Sequence, residues 1–220
     1  MFRPIATTVF LATLAVLIAH WIVSACRAEC GRSPGGILKR LVHLFTLIFL
    51  EQRLSLVGAL RKLVYLLALL CFVVLAVTGF YPLLVLDKHI YGYFVMVHAT
   101  FAPVFAVCLA ILAVMSAGSS RFNKSDLPFL QRALRRVTRL RIPLADIPTA
   151  SHLLGEKITF WLVIFLALPL ILSIILSMFR LFGTDWQEFL LAAHRYTAVA
   201  FAAVAIVHTY LMIRTQMKQQ

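Results

Sequence analysis

The stretch Glu188–Met217 reads EFLLAAHRYTAVAFAAVAIVHTYLMIRTQM and carries two histidines, His194 and His208, fourteen residues apart. An α-helix turns about 100° and rises about 1.5 Å per residue, so fourteen residues sweep roughly 1400°, about 40° short of whole turns, and climb about 21 Å. Both imidazoles therefore leave nearly the same face of one helix, one near each surface of a bilayer whose apolar core is about 30 Å thick. Ionisable side chains inside a spanning helix are expensive and are read as functional by default. Two of them at this spacing point to two stacked haems, each taking one axial ligand from this helix.

Composition places that helix in a membrane. The chain has 220 residues, 62% of them hydrophobic and 13% charged, with a mean hydropathy of +0.96. A water-soluble domain of this make-up would expose too much apolar surface, so the expected class is an all-α membrane protein, a transmembrane helical bundle in contact with lipid. The net charge of +13 sits in short segments between apolar runs. That is the pattern of membrane-protein loops and argues against a nucleic-acid partner. None of the four cysteines, Cys26, Cys30, Cys71 and Cys108, falls in a CxxCH or paired CxxC pattern, which argues against covalent haem and zinc-finger chemistry. Cys71 and Cys108 lie in apolar runs and read as small core residues. Cys26 and Cys30, close together at the end of the first run, leave a disulfide or a metal ligand open.

Five apolar stretches are long enough to span: Ile5–Cys26, Leu63–Leu86, Ile90–Ala117, Ile158–Phe182 and Phe189–Ile213. Met1–Ala25 also has the outline of a signal peptide, but its single Arg3 and long apolar run favour a retained span. Lysines and arginines concentrate in 27–62 and 119–157, whereas 87–89 and 180–188 hold just Lys88 and Arg180. The positive-inside rule then puts both long basic loops and the C-terminus in the cytoplasm and the N-terminus outside; the expected location is a bacterial inner membrane, with the N-terminus in the periplasm. Between the first two spans, Ser33-Pro34-Gly35-Gly36 breaks the chain, and Ile37–Leu56 reads as a helix lying in the interface. Leu127–Leu140 reads as a second basic amphipathic helix. Such segments bind anionic headgroups or dock a soluble redox partner.

Depth along the spans sorts the remaining histidines. His194 lies about 8 Å, and His98 about 12 Å, inside the outer ends of their runs at 1.5 Å per residue. The two are therefore expected to hold one haem b between them, as bis-histidine helical bundles do. His208 lies near the inner end, where Tyr65 of the second span and His20 of the first come to similar depth. At this level a haem on His20 and His208, a five-coordinate haem on His208, and no haem all remain open. His43 is a remoter candidate, and His89 and His152 read as loop or headgroup-facing residues. Arg195 suits either a haem propionate or snorkelling to the surface. Glu156 and Lys157 suit either proton exchange with a quinone headgroup or interface anchoring. No nucleophile–base arrangement or phosphate-binding glycine loop is evident, so no catalysis of its own is expected.

Over about residues 61–213 the chain resembles the cytochrome b subunit of membrane-bound formate dehydrogenases, a family related to the nickel–iron hydrogenase cytochrome b. The residues that carry the resemblance are Leu70–Gly79 with its closing Thr78-Gly79, His98, Asp126-Leu127-Pro128-Phe129-Leu130, Gly155-Glu156-Lys157 followed by Phe160-Trp161, and His194 with His208-Thr209-Tyr210. The resemblance implies a four-helix core over 57–220 that holds two b haems, with a quinone pocket near the cytoplasmic haem around Gly155, Glu156 and Lys157. Residues 1–56 would add one N-terminal transmembrane helix and the interfacial segment. It also implies electron transfer to the quinone pool from a partner, an iron–sulfur or cytochrome c redox subunit. The chain departs from the family pattern in three places. Tyr65 stands where a histidine is expected, Leu153-Leu154 replace a polar residue with Glu156 in place of a glutamine, and the first span is additional. His20 on that added span would replace the missing ligand.

Overall fold

The computed structural model describes residues 2–28, 56–122, 150–179 and 183–218. Among them are five helices: α1 (Phe2–Ala28), α2 (Leu56–Leu84), α3 (Tyr93–Ala117), α4 (Ala150–Met178) and α5 (Thr184–Lys218). All five contain a stretch long and apolar enough to cross a bilayer. The expected helical membrane bundle is therefore the observed architecture. The interfacial helix expected over 37–56, the basic helix over 127–140, the Asp126–Leu130 motif, Cys30 and His43 lie outside the described residues, apart from Leu56, which opens α2.

The helix ends differ from the hydropathy runs for local reasons. α2 begins at Leu56, so Arg61 and Lys62 lie inside its first two turns, where long cationic side chains reach the interface along their apolar stems. α5 begins at Thr184 with Asp185 in its first turn, a carboxylate placed favourably at the positive end of the helix dipole. Between α2 and α3 the backbone turns through two left-handed residues, Asp87 (φ 53°) and Gly92 (φ 56°). Such a conformation is tolerated by Asp and natural to Gly. Lys88 N–H closes the turn on Pro82 O at 3.0 Å.

The contacts fall into two units, 1–112 and 113–220. In the first, α1 and α2 run antiparallel. Phe10 meets Phe80 edge-on at 5.0 Å, and Arg3 pairs with Asp87 at 3.3 Å, so the start of α1 and the α2–α3 turn lie at the same end. α2 and α3 form an antiparallel hairpin, with Tyr81 beside Phe94 and Phe72 beside Phe105. The buried residues of α2, Val64, Ala68, Cys71, Thr78 and Pro82, recur at intervals of three, four and seven, one stripe of a helix. Cys71 and Cys108 are both free, buried thiols in this unit.

In the second unit α4 and α5 pack antiparallel along their length. Small or medium residues line the seam, including Val163 and Ala167 of α4 and Val199 and Ala202 of α5, which lets the helix backbones approach closely. Trp161 Nε1–H donates to Ser120 O at 3.0 Å, anchoring α4 to the chain that follows α3. Large apolar side chains cover the outer faces; on α4 alone Phe165, Leu168 and Leu172 are each more than half exposed. Water would not tolerate that display on successive turns, and lipid does.

Candidate functional site

Three of the candidate histidines, His98, His194 and His208, each meet a polar group on a neighbouring helix, and each does so through Nδ1. In the first unit His98 Nδ1 lies 2.9 Å from Thr78 Oγ1. In the second, His208 Nδ1 lies 2.9 Å from Thr159 Oγ1, and His194 Nδ1 lies 2.9 Å from the main-chain oxygen of Leu170.

Thr78 Oγ1–H is given to Val74 O at 2.7 Å, and Thr159 Oγ1–H to Gly155 O at 2.8 Å, each one turn back along its own helix. A hydroxyl has one proton. A hydroxyl that keeps its proton on the carbonyl has its oxygen left to accept, an arrangement in which His98 and His208 donate from Nδ1–H. Leu170 O is a carbonyl and accepts by nature, so His194 donates from Nδ1–H as well. In a neutral imidazole this puts the lone pair on Nε2 in all three rings.

Local sequence explains how each ring is seated. Next to Thr78, Gly79 has no side chain, and a Cβ built there would sit 3.3 Å from His98 Cε1. The small residue followed by glycine thus supplies an acceptor and the space beside it. Pro82 of α2 and Pro103 of α3 lack the N–H that an interior helical residue gives to the carbonyl four positions back. Pro169 likewise precedes Leu170 on α4. Pro82 and Pro103 therefore lie on the two helices of the His98 contact and Pro169 beside the His194 contact, and no proline lies inside a helix near Thr159 and His208. There Phe160 packs beside His208, ring centroids 6.4 Å apart.

Positions along the helices revise the sequence depths. His98 is five residues past the first residue of α3, about 7.5 Å along the axis. His194 is ten residues past the first residue of α5, about 15 Å. The turn at Asp87 and Gly92 delays α3, and α5 starts early at Thr184, so the two values differ from those read off hydropathy.

The remaining candidates fare differently. His20 is on the exposed face of α1, Tyr65 is half-buried on α2, and His89 is exposed in the turn. His152 belongs to α4, though its side chain is outside the described set, as is that of Cys26 on α1. Gly155 packs tightly, a Cβ there standing 3.3 Å from Leu211 Cδ1. Glu156 Oε1 is sealed from solvent with no hydrogen-bond partner among the described residues, and so is Thr215 Oγ1. Lys157 is half-buried beside it in sequence. Among the described residues no three His, Cys, Asp or Glu side chains gather as ligands for a metal ion.

Thr78 enters the sequence motifs only as half of a small-residue–glycine pair, and Thr159 enters none. Their one visible signal was position, since Thr78 precedes a glycine in an apolar run and Thr159 follows Gly155 by four. No family model matches the chain, and no curated protein matches it.

Proposed function

We propose that the chain is a membrane-embedded b-type cytochrome, an electron-transfer subunit that works between a redox partner and the quinone pool. Haem iron would be held at His98, His194 and His208. The observation that carries this reading is the common orientation of the three imidazoles. Histidines that ligate iron or zinc usually donate the other ring N–H to a carbonyl or a similar acceptor, which fixes tautomer and ring rotation. All three rings have Nδ1 within 2.9 Å of such an oxygen, which with Nε2 as the ligand atom suits haem ligation. A bound haem would supply one-electron transfer, with its potential set by its axial ligands and their hydrogen bonds.

The chain's own part is to hold the imidazoles, to exclude water with apolar helices, and to offer polar groups where a quinone headgroup would exchange protons. Glu156 is the candidate for that last task, because a sealed carboxyl oxygen without a partner is costly and a headgroup hydroxyl would supply the missing donor. Gly155 and Lys157 flank it. His20, exposed on α1, is a further candidate ligand.

A second reading has an observation of its own. Each imidazole already has a hydrogen-bond partner on a neighbouring helix, and interhelical polar ties of this kind stabilise haem-free bundles. On that reading the protein is a membrane anchor, a small transporter or an assembly protein. The reduced-minus-oxidised visible spectrum of the purified chain, with a pyridine haemochrome count, decides between them. A b-type band with one or two haems per chain is expected; a colourless protein expressed with ample haem supply sinks the cytochrome reading.

A further inference from the structure

We infer that Thr78 and Thr159 are positioning residues: each hydroxyl orients a histidine on the neighbouring helix, holds its proton on Nδ1, and makes Nε2 the more basic ligand atom. The link to haem rests on the function proposed above. The tautomer itself belongs to the bare chain.

The two sites are built alike, although they lie in different units. In each, a threonine gives its proton to a carbonyl one turn back, Val74 O for Thr78 and Gly155 O for Thr159. In each, the same oxygen stands 2.9 Å from a histidine Nδ1. The hydroxyl is therefore the middle member of a three-part chain running from carbonyl to hydroxyl to imidazole. Such chains are cooperative, because a hydroxyl that donates becomes a better acceptor. Drawing charge from Nδ1–H gives the ring imidazolate character, which raises the basicity of Nε2 and favours ferric over ferrous iron. A threonine that merely bonds back to its own helix, as Thr13 does to Val9 O at 2.8 Å, has no such second partner among the described residues.

His194 is the internal contrast. It is held by Leu170 O, a group that no side-chain exchange removes, so its tautomer should be indifferent to both threonines.

Valine is the right replacement, because it keeps the branched shape and deletes the hydroxyl; serine keeps the hydroxyl. The first measurement uses the full-length chain, labelled with ¹⁵N-histidine, produced without haem supply and held in lipid nanodiscs. Imidazole resonances are assigned by their loss in His→Gln variants. The expected result is Nδ1–H for His98, His194 and His208 in the parent chain. Thr78→Val should release His98 alone and Thr159→Val His208 alone, with Thr78→Ser and Thr159→Ser behaving as the parent. Nε2–H in the parent, or tautomers unmoved by valine, overturns the inference.

The second measurement uses the haem-loaded chain, where each valine variant should weaken haem retention about ten- to hundred-fold and raise the midpoint potential, with serine restoring both. A potential unmoved by valine also overturns it. A colourless chain that shows the expected tautomer pattern would leave the positioning role standing and remove the cytochrome reading. A pigmented chain with the wrong tautomers would do the reverse.

Discussion

The imidazole of His98 occupies the space that a side chain on Gly79 would need, with only 3.3 Å between a Cβ at that position and His98 Cε1. The ring is rigid and is tied at Nδ1 to Thr78, so it cannot swing aside as an alkyl terminus can. Gly79→Ala gains about 1 kcal/mol of helix propensity and loses a comparable amount to crowding, about 1–3 kcal/mol. Stability should therefore change little while the ring is displaced. The expected outcome is a near-unchanged melting temperature with haem at His98 lost or weakened about ten-fold or more. Paired haemochrome counts and thermal melts check it.

Gly155 gives the opposite result from the same distance. A Cβ there would meet Leu211 Cδ1 at 3.3 Å, the far end of a flexible side chain that can rotate away. Gly155→Ala is expected to be neutral or to stabilise by up to about 1 kcal/mol, with haem content unchanged. A destabilised variant would show that α4 and α5 approach too closely there for any methyl group.

The expectation from the sequence is one haem on His98 and His194 and another on His208. On that assignment His98→Ala and His194→Ala each remove the same share of the pigment, and His208→Ala removes a different share. Spectra of the three variants, normalised to protein, test this directly. Loss from His98→Ala without loss from His194→Ala would break the assignment.

Asp87 combines a left-handed backbone (φ 53°) with an ion pair to Arg3 whose partners are 48% and 74% exposed. Exposed pairs contribute about 0–1 kcal/mol, whereas a left-handed conformation costs an ordinary residue about 1–2 kcal/mol. Asp87→Gly should therefore be close to neutral, and Asp87→Val should lose more than the ion pair alone accounts for. Chemical or thermal unfolding in detergent of both variants beside Arg3→Gln separates the two contributions.

How much of this was legible beforehand depends on how far apart in the chain the cause lies. The five spans were readable because run length and apolarity are local properties, and their ends were misplaced where a charged or left-handed residue decided the matter. Asp185 and Arg61 lie inside helices although they interrupt the apolar pattern. The histidines stood out because an ionisable residue in lipid is conspicuous on its own. Thr159 and His208 are 49 residues apart, and nothing in either stretch names the other. A threonine inside an apolar helix usually satisfies itself one turn back, as Thr78 and Thr159 also do, so the second bond that matters here leaves no trace in composition or periodicity.

The carbonyl that holds His194 is spelled by no codon. Substitution can reach the two hydroxyl-held rings one amino acid at a time, and each such change is a ready means of retuning a site during divergence. The grip on His194 yields only to something that bends α4 itself, which makes that imidazole the fixed reference against which the other two can drift.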